Sequence, residues 1–373
     1  VSKIPILILS DAITCPSGLG RIARDLAVRI NQMDEFRVAT IGPSGIYSTQ
    51  YPFPQYPVYS IERWIVHELP HAWHDFAGTE KGIVLVIWDA SRVGWMVDPP
   101  SFLPFAEWLR NRPFKLWTYS PVDAEGPHGL LTEELHNTLA KFDRVLNYTQ
   151  FSAKITCHPN HLPHGIDTSV FYPRENGKRK FREYGYEGLT DESLLIGIVA
   201  TNQTRKDWPL GIQAAALLRD RGHDVKLWCH TDVHKRHYDI PVLMRDYGFE
   251  DLEPTTNKFP DSQMAELYSA CDLTLGIGSE GFGLPLAESL ACGTPVIHGN
   301  YAGGAEFVPK EMLVEPVGWR YDTVWCWKRA IYRPEDWADT AEKVIGKPCA
   351  LPEHLDWNNL WPKWKQWLLD GIK

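Results

Sequence analysis

Residues 278–297 read Gly278-Ser279-Glu280-Gly281-Phe282-Gly283-Leu284-Pro285-Leu286-Ala287-Glu288-Ser289-Leu290-Ala291-Cys292-Gly293-Thr294-Pro295-Val296-Ile297. Two carboxylates eight positions apart, Glu280 and Glu288, flank a glycine-bracketed turn. Glycine lets backbone approach a ligand closely, and Pro285 suits the first position of a helix, where its missing N–H costs nothing. The spacing therefore predicts a helix opening beside Phe282, Gly283 and Leu284, with free amides and the positive end of the helix dipole facing one spot. Such a spot attracts an anion such as a diphosphate. Glu280 is expected in the loop before the helix, and Glu288 in its first turn or just after. Their oxygens can then accept hydrogen bonds from different hydroxyls of one ligand. A sugar nucleotide carries hydroxyls at both ends of a diphosphate.

Outward from this stretch, short β-rich runs alternate with amphipathic ones. Strands are expected at Ile4–Leu9, Val38–Ile41, Ile83–Trp88, Lys115–Tyr119 and Val145–Asn147, then at Leu195–Ala200, Val225–Cys229, Leu273–Gly276 and Pro295–His298. Leu19, Ile22, Ala23, Leu26 and Ile30 recur at helical spacing, as do Trp357, Leu360, Trp361, Trp364, Trp367 and Leu368. Two such series predict an α/β protein with two Rossmann-like halves, each a parallel sheet with helices on both faces. Ligands bind at the carboxyl ends of such strands, which draws attention to two loops. One holds Gly18-Leu19-Gly20, where glycine serves either a ligand phosphate or close packing; the other is the quoted stretch.

The motif Glu280 to Glu288, with Phe282-Gly283-Leu284 inside it and Ala291-Cys292-Gly293-Thr294-Pro295-Val296 after it, resembles the E-x7-E region of retaining GT-B glycosyltransferases of the GT4 type, the glycosyltransferase group 1 family. Further landmarks follow in family order. Pro16-Ser17-Gly18-Leu19-Gly20-Arg21 resembles the first glycine loop, and Pro163-His164-Gly165-Ile166-Asp167 with Phe171-Tyr172-Pro173 the interdomain segment. Gln203-Thr204-Arg205-Lys206-Asp207 resembles the phosphate-binding turn, and Phe259-Pro260-Asp261 with Leu267-Tyr268-Ser269-Ala270-Cys271-Asp272 the approach to the motif strand.

The resemblance implies a GT-B fold, with two Rossmann-like domains facing across a cleft. It divides the chain into residues 1–166 on the acceptor side, residues 167–352 holding the nucleotide sugar, and a helix at 353–373 that packs back on the first domain. A surface interaction helix is the alternative for that last stretch. It implies transfer of a sugar from a UDP- or GDP-linked donor to a hydroxyl with retention, with no cofactor beyond the donor. Glu280 would touch the transferred sugar, Glu288 the ribose, Arg205 and Lys206 the leaving diphosphate, and Gly18 and Gly20 donor phosphate or acceptor. Relatives carry an arginine five positions before this lysine, where this chain has Thr201, so either Arg205 takes over or the grip differs. Relatives often hold the transferred sugar with a histidine or acid after a first-domain strand. At that point stands Tyr119-Ser120-Pro121-Val122-Asp123, making Asp123 the substitute. His164 serves the site or the structure alone. The acceptor is a saccharide, lipid-linked sugar, small metabolite or modified nucleic-acid base. Aromatic residues in Tyr47–Tyr59, with Trp73, Trp88 and Trp95, either stack on a ligand or pack loops.

No Asp-x-Asp occurs, which predicts that no metal ion clamps the diphosphate. His67-Glu68-Leu69-Pro70-His71 matches the zinc-protease pattern H-E-x-x-H literally, but Pro70 is expected to break the helix on which both histidines must align. Gly276-Ile277-Gly278-Ser279-Glu280-Gly281 matches a dinucleotide fingerprint, yet Pro285 delays the helix and Asn300 stands where an acid belongs. A GT-B epimerase, phosphorylase or sugar-nucleotide binder would share the fold without the transferase activity.

Composition fits two cores. The chain has 373 residues, 44% hydrophobic, with a net charge of −9 that argues against generic binding to nucleic acid or anionic membranes. The basic run Lys178-Arg179-Lys180 is expected to be a solvated loop. No run approaches about 18 uninterrupted apolar residues, and the N-terminal apolar run is too short for a signal peptide, which predicts a cytoplasmic protein. Seven dispersed cysteines without a C-x-x-C predict reduced, mostly buried thiols.

Overall fold

The computed structural model describes residues 2–43, 45–58, 65–97, 103–186, 188–256 and 258–373. Tyr59 and the side chain of Trp95 lie outside the described residues. The chain forms two compact units, one of Val1–Val122 with Pro127–Leu162, the other of Asp123–Gly126 with Pro163–Lys373. Among the described residues, no helix is long and apolar enough to cross a membrane.

The first unit contains the strands β1 (Ile4–Leu9), β2 (Phe36–Pro43), β3 (Gln55–Val58), β4 (Gly82–Val86), β5 (Phe114–Ser120) and β6 (Arg144–Asn147) in one sheet. Their order is β3-β2-β1-β4-β5-β6, and neighbours run parallel. This is a doubly wound order, reversing between β1 and β4. Helices cover both faces of such a sheet, so its central strands read as unbroken apolar runs: Ile6 to Leu9 and Val84 to Trp88 have no exposed surface. The helix Gly18–Asn31 buries Ile22, Ala23, Leu26 and Ile30, as their spacing predicts.

The second unit contains β7 (Leu194–Val199), β8 (Val225–His230), β9 (Leu273–Gly276), β10 (Val296–Gly299) and β11 (Leu313–Val314) in a parallel sheet of order β11-β10-β9-β7-β8. The chain leaves β7 outward to β8 and returns to pair β9 on β7's other side. The order thus reverses between β7 and β9, and their carboxyl ends open side by side. An antiparallel hairpin follows, β12 (Gly318–Asp322) and β13 (Trp327–Ile331). The last helix, Trp357–Asp370, buries Trp357, Leu360, Trp364, Trp367 and Leu368. It is tied within its own unit by the Trp364 indole N–H to the Pro163 carbonyl at 3.2 Å, and by Gly165, where a Cβ would lie 2.3 Å from the Trp357 ring.

Several elements differ from the sequence-based expectation. β3 is a four-residue edge strand containing Pro57, tolerable there because an edge leaves one row of N–H groups unused. β11 has two residues, and β12 is mostly exposed, so neither shows apolar alternation. Pro70 does not break its helix, which runs unbroken from Ile65 to Ala77. Leu69, Ala72, Trp73 and Ala77 bury a continuous stripe. Burying it stabilises the helix by more than the ~3 kcal/mol an internal proline costs. His67 and His71 therefore do share a helix face. The thiols are less buried than expected: Cys229, Cys271 and Cys292 are buried, while Cys157 and Cys326 are exposed, and all seven are unpaired. The basic run lies on the helix Gly177–Glu183, where Lys178 pairs with Asp272 at 2.9 Å and Lys180 with Glu183 at 2.8 Å.

Candidate functional site

The loops after β7 and β9 meet. After β7 the chain makes a tight turn of 3-10 helix, Thr204–Lys206, then passes through Asp207 in a left-handed conformation into the helix Trp208–Asp220. After β9 the loop Ile277–Gly283 leads into the helix Leu284–Ala291, with Pro285 in its first turn. Gly283, at φ 98°, caps that helix; a Cβ there would lie 2.7 Å from the Leu286 side chain. Gly278, at φ 74°, lies so close to the other loop that a Cβ would stand 2.4 Å from the Arg205 carbonyl oxygen. The glycines thus allow the close approach of the two loops as well as the turn.

That approach brings charges together. The Lys206 ammonium donates a short hydrogen bond to Glu280 Oε1, with the two side chains 5% and 16% exposed. Burial, then the neighbouring Arg205, pulls the Lys206 ammonium down to about 8, against the opposing pull of Glu280. Arg205 reaches the same loop, its Nη1 donating to the Ser279 carbonyl at 3.0 Å and its Nε to Gln203 Oε1 at 3.0 Å. The same Nη1 lies 3.0 Å from Asp123 Oδ2. Asp123 belongs to this unit through the short segment Asp123–Gly126. Burial pushes its carboxyl up, but Arg205, Arg329 and Lys206 together outweigh burial and hold it below the usual carboxylate range.

The structure thus gathers Arg205, Lys206, Glu280 and Asp123 into one cluster. Phe282, Gly283, Leu284 and Glu288 are carried by the adjoining loop and helix. Phe282 is buried, with its ring 5.1 Å from that of Phe307, and Glu288 is only 3% exposed. Thr201 lies at the carboxyl end of β7, where its carbonyl accepts the Trp208 indole N–H at 3.2 Å. His164 is fully buried, its ring set edge-on to Phe282 at 6.1 Å and to Trp357 at 5.0 Å. His298 is fully buried and donates its Nδ1–H to the Gly276 carbonyl, and burial lowers its basicity.

In the first unit, Gly18 begins its helix with Ser17 as N-cap, the Ser17 hydroxyl accepting the Gly20 N–H at 3.0 Å. A Cβ on Gly20 would lie 2.6 Å from the Ala12 carbonyl oxygen, so packing alone requires that glycine. Trp73 and Trp88 are buried and pack the unit, Trp88 donating to Asp11 Oδ1 at 3.1 Å, whereas Tyr47 is exposed. Among the described residues, no group of three or more His, Cys, Asp or Glu could hold a metal ion.

Sequence reasoning missed Arg329 on β13. Its Nη1 donates to Asp123 Oδ1 at 3.1 Å and its Nε to Asp322 Oδ2 at 3.0 Å. A lone arginine in an exposed-looking stretch carries no local signal.

Residues 187–318 match the family model described as glycosyl transferases group 1. The chain is 26% identical over 189 residues to a D-inositol 3-phosphate glycosyltransferase of Paenarthrobacter aurescens (strain TC1), an alignment covering 49% of this chain and 42% of that relative. The chain spans less than half the length of this curated relative. Among solved structures, the sucrose-phosphate synthase from Thermosynechococcus elongatus superposes with a TM-score of 0.70 at 16% identity, covering 99% of each chain. Anabaena HepE in complex with UDP and glucose gives 0.65 at 15% identity, covering 92% of this chain and 90% of that one. Likeness at this identity establishes the fold. Residues 187–318 are thus similar to the glycosyl transferases group 1 family, within a chain of GT-B fold made of two Rossmann-like units.

Proposed function

We propose that this protein transfers a glycosyl group from a nucleoside diphosphate sugar, UDP- or GDP-linked, to an acceptor hydroxyl, with retention and without a metal ion. The observation that carries this reading is the meeting of Arg205, Lys206 and Glu280 at the strand-order reversal between β7 and β9, beside a helix N-terminus. Two cations and free helix amides at one spot suit a diphosphate. In the reaction, the bond from the anomeric carbon to the diphosphate oxygen breaks and its electron pair stays on that oxygen. The acceptor oxygen bonds to the same carbon, and its proton passes to the leaving diphosphate. Charge on the leaving group grows as the bond breaks, so Arg205, Lys206 and the amides near Phe282, Gly283 and Leu284 favour the transition state over the ground state. Glu280 contacts the transferred sugar, Glu288 the ribose, and Asp123 stands where relatives hold the sugar. Retention rests on the family resemblance, as do the roles of Gly18 and Gly20 in binding donor phosphate or acceptor.

The test is a thermal-shift screen of nucleotide sugars against the whole chain, followed by mass measurement of products with saccharide, lipid-linked, small-metabolite and nucleic-acid acceptors. A stabilising donor and a product heavier by one glycosyl residue is the expected result. Donor binding with epimerisation or phosphorolysis instead would assign the non-transferase reading, and no stabilisation by any nucleotide sugar would overturn both.

A further inference from the structure

We infer that Arg329, on the hairpin β12–β13, is a positioning residue that holds the Asp123 carboxylate against Arg205 and so fixes the Arg205 guanidinium in the site. The inference rests on the transferase reading above. The hairpin begins at Gly318, the last residue of the family match, so no family motif reaches Arg329.

The contacts form one chain. Arg329 Nη1 donates to Asp123 Oδ1 at 3.1 Å and Arg205 Nη1 approaches Asp123 Oδ2 at 3.0 Å, so one carboxylate is shared by two guanidinium groups. Arg205 Nη1 in turn donates to the Ser279 carbonyl at 3.0 Å, one residue before Glu280. Arg329 is 5% exposed and its Nε is committed to Asp322, which leaves it aimed at Asp123 rather than at a ligand. Arginine suits the task because its planar fork serves two carboxylates in fixed directions; a lysine ammonium is a single point.

The segment bearing Asp123 is fastened to the same hairpin. The Lys328 N–H donates to the Glu125 carbonyl at 2.8 Å, and the Lys328 ammonium meets Glu125 Oε1 at 2.6 Å while lying 4.2 Å from the Trp319 ring centroid. The Tyr301 hydroxyl accepts the Glu125 N–H at 3.0 Å and donates to the Lys328 carbonyl at 2.8 Å. The hairpin's contacts thus set the position of Asp123. With Arg329 removed, the carboxylate keeps only Arg205 and is free to rotate away, and Arg205 loses one of its three anchors, keeping the Ser279 carbonyl and Gln203 Oε1.

The charged and titratable groups facing Asp123 are Arg205 and Lys206 from the turn after β7, Arg329 and Asp322 from the hairpin, Tyr301 after β10 and Glu125 on its own segment. Loss of one cation from this set lets the carboxyl rise, so the acid limb of turnover moves to higher pH.

The test compares wild type, Arg329→Gln, Arg329→Lys and Asp123→Asn, using the nucleotide sugar the wild type turns over, with UDP and GDP as binding probes. Arg329→Gln is expected to lower kcat by about tenfold to a hundredfold, as misplacement of a catalytic group does, with donor KM changed less. Its acid limb should move up in pH, Arg329→Lys should recover only part of kcat, and Asp123→Asn should abolish the limb. Hydrogen exchange provides a readout independent of activity: the Glu125 amide should exchange faster in Arg329→Gln than in wild type. A kcat and acid limb equal to wild type in Arg329→Gln would overturn the inference, as would unchanged Glu125 exchange. A wild-type protein that turns over no nucleotide sugar and binds neither UDP nor GDP would instead overturn the transferase reading, while the exchange measurement would still decide whether Arg329 holds Asp123.

Discussion

Lys206 and Glu280, 74 residues apart, form an ion pair because β7 and β9 lie side by side and each strand delivers one of the two residues just past its carboxyl end. The pair is largely buried, so each charge depends on the other for its solvation.

Removing one partner should therefore cost more than removing both. Glu280→Ala is expected to destabilise the fold by about 3–5 kcal/mol at most, less where water reaches the carboxylate position, because it leaves a buried ammonium unpaired. The double variant Glu280→Ala with Lys206→Met should recover part of that loss. Urea unfolding of wild type, the two single variants and the double variant measures the coupling.

A pH dependence follows from Lys206. Its folded value of about 8 lies below the ordinary lysine value, so between the two the unfolded chain binds more protons than the folded one. The contribution of this group to stability therefore rises with pH through that window and is flat below about 8. A diphosphate favours the protonated ammonium, so UDP or GDP binding near that pH should take up a proton and weaken as pH rises further. Calorimetry in two buffers of different ionisation enthalpy checks this, and Lys206→Met should remove the uptake.

Gly278 has a positive φ and a neighbour that cannot give. Its missing Cβ would meet backbone of the Arg205 turn, at 2.4 Å. Gly278→Ala is expected to cost about 1–3 kcal/mol of stability and to push Arg205 and Lys206 out of register, lowering transfer more than it changes the melting temperature. Thermal unfolding and steady-state turnover measured on one preparation separate the two effects.

Glu288 is 3% exposed, so it serves the fold as well as any ligand. Glu288→Ala is expected to weaken donor binding by roughly 2–4 kcal/mol through lost charged hydrogen bonds, and to lower the melting temperature because a buried carboxylate's partners lose their acceptor. Titration with UDP and GDP, beside thermal unfolding, reads each. Unchanged affinity with reduced stability would assign Glu288 to structure alone.

Positive charge for the leaving diphosphate comes from Arg205, Lys206 and helix amides in the proposed reaction, so EDTA should leave transfer largely intact. Loss of transfer restored by magnesium or manganese would mean that a metal ion holds the diphosphate. Peptide cleavage regained with zinc would assign chemistry to His67 and His71.

Elements whose signal is local were legible in the amino-acid sequence. Ile4–Leu9 and Leu273–Gly276 are strands at the predicted bounds; in Ile4–Leu9 an unbroken apolar run suits a central strand covered on both faces, while in Leu273–Gly276 Thr274 is buried between two leucines. The helix after Gly283 opens where glycine and proline place it, and Trp357–Asp370 follows its tryptophan spacing. The turn holding Arg205 and Lys206, the loop holding Glu280 and the helix bearing Glu288 were legible for the same reason: each is a short motif whose residues lie within a few positions of one another. Features that depend on distant partners became visible only in the folded chain. Pro70 stands inside an unbroken helix because Leu69 and Trp73 find buried positions, a gain that no local rule counts. Arg329 joins Asp123 across 206 residues, and the segment Asp123–Gly126 leaves the unit that flanks it in sequence to join the second one. Ion pairs of this kind depend on which strands neighbour each other and how their loops are aimed, and a one-dimensional pattern of residue types contains neither.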